Sequence, residues 1–167
     1  MTTDTRVEMR GEASEHIDAT PEELYALVSD VPRMGEWSPE CRGADWIVPA
    51  DAPAVGAQFH GHNERGDNEW TTPNTVLVAD VGREFAWVVG TPEFQVCHWR
   101  FVFRPLDGGT EVTEAFELGT ESVGFTSSVL EAPEGERAAL VEARRAQLVQ
   151  DMRDTLARLK VVAEAAG

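Results

Sequence analysis

One change of rhythm bounds what this chain can fold into. From residue 41 to residue 118 apolar side chains recur at every second position, and from 134 to 165 they recur at helical spacing. A period of two belongs to strands with one buried face, and a period near 3.6 belongs to an amphipathic helix. The terminal segment has neither Gly nor Pro beyond Gly135, with Leu148, Met152, Leu156 and Leu159 as its stripe. It reads as one helix of about 45 Å.

The clearest strand pair is VCHWRFVFRPLDGGTEVTEAFEL, residues 96–118, folded back at Asp107-Gly108-Gly109. Trp99, Phe101 and Phe103 share one face, and His98, Arg100 and Arg104 share the other. On the second arm Val112, Phe116 and Leu118 form an apolar face that also contains Glu114. A carboxylate among aromatic rings is costly to ionise, so its pKa should rise.

Upstream, residues 7–17 alternate as a half-buried strand, with Val7, Met9, Ala13 and Ile17 on one side. Thr20-Pro21-Glu22-Glu23 has the form of a capping box with proline in the first turn, and Leu24, Leu27 and Val28 continue the helix. Pro32 starts a second short helix ending near Trp37. Residues 41–48 align Ala44, Trp46 and Val48, and 49–56 form a loop. Residues 57–64 align Ala57, Phe59, Gly61 and Asn63; residues 69–80 align Trp70, Thr72, Asn74, Val76 and Val78; residues 84–89 align Phe85, Trp87 and Val89. With the hairpin this makes seven strands. Residues 119–133 are a long connection placed to act as a gate above the last helix.

No repeat and no linker divides the chain, so residues 1–167 are expected to form one domain. An antiparallel sheet with one apolar face, followed by one long amphipathic helix, is α+β in class. The sheet curls and the helix lies in its hollow. The formal net charge of −16 argues against nucleic acid and against stable association with anionic membranes. No apolar run approaches the length that spans a bilayer, and Cys41 and Cys97 form no disulfide framework. A cytoplasmic protein with reduced thiols is the expectation.

Three segments then carry a family resemblance: IDATPEELYALVSDVPRMGEWSPE at 17–40, VGAQFHGHNERGDNEWTT at 55–72, and HWRFVFRPLDGGTEVTEAFE at 98–117. Together with MRDTLARLKVVAEA at 152–165, they resemble the START-like (SRPBCC) superfamily, in its bacterial polyketide cyclase/dehydrase and lipid-transport branch. The resemblance implies the helix-grip fold. That fold is a curved seven-stranded antiparallel sheet around a long C-terminal helix, with two short helices after the first strand. It also implies a deep cavity. Members of the superfamily include cyclases, hormone receptors, lipid carriers and co-chaperone domains, so the fold alone does not choose a function.

The candidate ligand-binding side chains are aromatic in the main: Trp37, Phe59, Trp70, Trp87, Trp99, Phe101 and Phe116, with Met152 from the helix. Asn63, Thr72 and Asn74 are polar residues on the same face, suited to orienting a carbonyl or hydroxyl or to satisfying one another. Large rings with sparse polar groups build pockets for apolar ligands, and they also simply fill cores. Glu114 is the candidate catalytic residue, a general acid/base for aldol cyclisation or dehydration, or else an acceptor that fixes the strand. His60 and His62 lie on the polar face with no third ligand, Cys97 has no activating base, and no phosphate loop appears. No metal and no cofactor is expected.

Three functions follow. The first is binding of a small hydrophobic or aromatic molecule of polyketide, lipid or isoprenoid type. The others are a polyketide cyclase/dehydratase using Glu114 and a co-chaperone-like protein-interaction domain. The expected partner is that small molecule, and a homodimer stays open.

Overall fold

In the computed structural model, residues 6–121 and 123–167 are described. Strand β1 (Arg10–Ile17) leads into helix α1 (Pro21–Ser29), a 3₁₀ turn (Val31–Glu36) and β2 (Cys41–Trp46). The meander continues through β3 (Gln58–Arg65), β4 (Asn68–Asp80), β5 (Glu84–Thr91), β6 (Phe94–Leu106) and β7 (Gly109–Leu118). Helices α2 (Phe125–Glu131) and α3 (Glu134–Ala165) end the chain. All strand pairs are antiparallel in the order β1-β7-β6-β5-β4-β3-β2. The sheet curls into a half-barrel with α3 across its hollow, the helix-grip arrangement.

Local chemistry accounts for these elements. Thr20 Oγ1 accepts from Glu23 N at 3.1 Å while Glu23 Oε2 accepts from Thr20 N at 2.9 Å, so the capping box is complete. Thr20→Ala is expected to cost about 1 kcal/mol in denaturant unfolding; an unchanged midpoint would mean that the box adds nothing to α1. Leu106 pairs with Gly109, so the β6–β7 loop is the two residues Asp107-Gly108, with Gly108 at φ +79°.

Leu148, Met152, Leu156 and Leu159 are each at most 4% exposed, so the helical stripe is the face that meets the sheet. The helix leans mainly on β1. A Cβ on Gly11 would stand 2.8 Å from Val149 Cγ2, which shows how closely they pack. Arg145 Nε donates to Arg10 O at 3.0 Å and Lys160 Nζ to His16 O at 2.7 Å, so α3 covers carbonyls along β1. At the opposite margin the 3₁₀ turn closes on β2, where a Cβ on Gly35 would meet Arg42 O at 2.1 Å. A bulge between Cys41 and Gly43 bends that strand.

Four sequence expectations need correction. Val48 is 89% exposed, not inward: β2 ends at Trp46, and the chain then turns, with Ala50 N donating to Ile47 O at 2.9 Å. Val78 leaves the inner face, since a bulge after Val76 pairs Val78 with Ala86 and brings Ala79 opposite Phe85. The regular strand in residues 7–17 begins only at Arg10, although Val7 and Met9 are buried as the alternation required. The 119–133 connection contains helix α2, where Phe125 and Val129 sit one turn apart and Val129 is buried.

Candidate functional site

Curling the sheet brings the inward rows of neighbouring strands together without closing them on α3. A cavity of about 830 Å³ remains between them. The register sets Trp87, Trp99 and Phe116 side by side across β5, β6 and β7. Trp87 and Trp99 are stacked at 6.5 Å and 15°, and Trp99 and Phe116 lie 4.8 Å apart. Phe101 stacks on Trp87 at 6.2 Å, and Phe59 meets Trp87 edge-on at 6.0 Å. The wall is continuous because ring contacts link Phe59, Trp87, Phe101, Trp99 and Phe116 in one chain centred on Trp87, across strands held by backbone ladders. Met152 faces it from α3, and Trp37 closes one side under the Arg33 guanidinium, 5.7 Å from its ring centre.

Asn63, Thr72 and Asn74 group around Gly61 on the same lining. Asn74 Nδ2 donates to Thr72 O at 3.0 Å and Phe59 O at 3.3 Å, and Asn63 Nδ2 donates to Gly61 O at 3.2 Å. A Cβ on Gly61 would stand 3.2 Å from Thr72 Oγ1 and 3.3 Å from Asn74 Nδ2, so glycine lets the cluster pack closely over it. These amides are therefore tied to the sheet through their nitrogens.

Trp70 lines the cavity but stands at its rim, 37% exposed, with Phe94 and Val123 also exposed around the opening. The alternation puts it inward; β4, however, outruns the core at this end, and its first four residues are exposed. Residues Val123–Thr126, from the predicted gate, border the same opening.

Glu114 lies on β7 between inward Val112 and Phe116, opposite Phe101 on β6 and Ala13 on β1. It is buried, and its Oε2 has no hydrogen-bond partner among the described residues. Burial, and then the negative charge of Asp151, hold its carboxyl well above the ordinary value of 4.5. The neutral acid is therefore the resting form over a wider pH range than for an exposed glutamate.

A charged cluster that the strand alternation does not predict completes the lining. Arg65 at the end of β3 binds Glu40 at 2.6 Å and also pairs with Asp151 of α3. Arg144 of α3 reaches Glu40 at 3.3 Å. Burial raises the Asp151 pKa, and the Arg65 guanidinium acts against it. The missed signal is on the helix: Arg144, Leu148, Asp151, Met152 and Thr155 follow one face, so the apolar stripe has charged residues set into it.

Cys41 and Cys97 also line the cavity. Burial pushes the Cys97 thiol up to about 12, which leaves it an inert part of the wall. His62 is exposed on the convex face, bonded to Asp45 at 2.7 Å and Thr71 at 3.2 Å.

A protein-family model described as polyketide cyclase/dehydrase and lipid transport matches residues 8–164. A Polyketide_cyc-like protein, Cgl2372 from Corynebacterium glutamicum, is 30% identical; the match covers 93% of this chain and 92% of that one, at a TM-score of 0.65. A START superfamily protein from Mycobacterium smegmatis is 16% identical over 95% and 99% of the two chains, at 0.66. The di-domain ARO/CYC StfQ from the steffimycin biosynthetic pathway is 14% identical at 0.74; 96% of this chain matches 52% of that one, about half its length. No curated protein matches the sequence.

Proposed function

The chain belongs to the polyketide cyclase/dehydrase and lipid transport family, and on that premise we propose that it binds a small hydrophobic or aromatic molecule, of polyketide, lipid or isoprenoid type, between sheet and α3. The observation that carries this reading is a cavity of about 830 Å³ walled by Trp87, Trp99, Phe101 and Phe116. That volume falls within the roughly 300–1,000 Å³ of small-molecule sites, and flat rings favour flat or extended apolar guests. In this reading Phe59, Met152 and Trp37 grip the body of the ligand. Asn63, Thr72 and Asn74 orient its polar atoms, and Trp70 stands where it enters. A cavity of this size gives no support to a co-chaperone-like domain with a filled core.

The test is a melting-temperature screen against aromatic polyketides, fatty acids and isoprenoids. A ligand at about one hundred times its Kd is expected to raise Tm by ~5 °C. No shift with any of the three classes would count against the reading.

A second reading, catalysis, is favoured by the buried Glu114 Oε2, which has no partner among the described residues. As a general acid Glu114 would give its proton to a departing hydroxyl, which leaves as water, and recover one from the adjacent carbon. A dehydration of this kind balances with no cofactor. Glu114→Gln would then bind ligand and not turn it over; unchanged turnover would remove Glu114 from the chemistry.

A further inference from the structure

Resting on that reading of the cavity, we infer that the ligand is a neutral molecule with a carbonyl oxygen at one end of an apolar body, seated against Glu114 Oε2, and that free carboxylates are excluded. The first support is geometric. Glu114 Oε2 lines the cavity beside Phe101 and Phe116, is buried, and has no partner among the described residues, so a polar atom there is matched by what the cavity admits. A carboxyl group in its neutral form offers one O–H, and a carbonyl oxygen accepts without needing a donor in return.

The second support is the charge balance of the lining. Arg65 is engaged by Glu40 and Asp151, and Arg144 by Glu40, so two cations are matched by two anions. A carboxylate entering the cavity would find no unpaired cation among these groups, and it would leave water to meet the negative charge of Asp151. The chain as a whole, at −16, adds repulsion. A neutral carbonyl meets none of these penalties.

The titratable groups that act on Glu114 are few. Asp151 of α3 acts on it directly, and Asp151 is in turn held by Arg65 from β3 and lies near Arg144 and Glu40. The residues paired with Glu114 from β1 and β6, Ala13 and Phe101, do not titrate. Once Glu114 loses its proton the donor is gone, so the preference for the carbonyl falls as pH rises through its raised pKa.

The test uses three ligands with one shape: 2-acetylnaphthalene, 2-ethylnaphthalene and 2-naphthoate, titrated calorimetrically into the full chain. The ketone is expected to bind about tenfold tighter than the hydrocarbon, and the acid at least tenfold weaker than the ketone. Glu114→Gln, whose amide still donates, keeps the ketone preference within about threefold and makes it independent of pH. Glu114→Leu removes the preference while leaving hydrocarbon affinity in place, which also verifies that this variant is folded. Naphthoate binding as tightly as the ketone, or a ketone preference that survives in Glu114→Leu, overturns the inference. If the hydrocarbon binds as well as the ketone, the inference fails and the hydrophobic cavity stands. If none of the three binds, the inference fails, and the melting-temperature screen judges the cavity reading by itself.

Discussion

Glutamine in place of Glu114 is expected to stabilise the protein progressively as pH rises, and to leave it unchanged in acid. Unfolded, the carboxyl titrates near 4.5; folded, burial and Asp151 hold it well above that. Between those two values the native state retains a proton that the unfolded chain has released, so native stability falls with rising pH. The loss is about 1.4 kcal/mol for each unit by which the two pKa values differ. Glutamine has no such proton to lose. Urea unfolding of both proteins from about pH 4 to about pH 9 should give curves that coincide in acid and diverge upward for the variant. Parallel curves would mean that Glu114 ionises freely in the native state, and the picture of a dry carboxyl would be wrong.

Gly90→Ala should produce the largest loss of any single methyl group considered. Gly90 lies at the register shift where β5 turns toward β6, with φ at +104°, and a Cβ there would stand 2.0 Å from Phe94 O. The obstacle is backbone, which cannot swing away as a side chain can. Strain and overpacking together are expected to cost about 2–5 kcal/mol. Because Phe94 borders the cavity mouth, ligand binding should weaken as well. Gly108→Ala is the internal control: its φ is +79°, yet nothing lies within 4 Å of the added atom, so only about 1 kcal/mol is at stake. Equal losses for the two variants would show that the close approach at Gly90 relaxes without effort.

Much of the architecture could be read from alternation because a curled antiparallel sheet with one wet face preserves it. Trp99, Phe101 and Phe116 fall inward for that reason, and Glu114 falls inward with them. The failures are where the period breaks. A bulge after Val76 turns Val78 outward, and nothing in the run TVLVAD marks it. A turn at Ile47–Ala50 ends β2 before Val48 could be buried. Trp70 keeps its face but lies beyond the core's end, a matter of strand length that pattern does not encode. The Glu40–Arg65–Asp151–Arg144 cluster joins three distant segments, and charges are ordinarily assigned to solvent. Two of its members nevertheless stood on the buried helical face, where a stricter count of the stripe would have found them.

An open half-barrel has two margins where another copy could add a strand and begin lateral polymerisation. Here each margin is partly obstructed. Long cationic side chains of α3 occupy carbonyls of β1, and the far margin is kinked at Cys41–Gly43 beneath the 3₁₀ turn. The half-barrel thus stays open toward its cavity, while two carbonyls along β1 and the bulged start of β2 are withheld from a further strand.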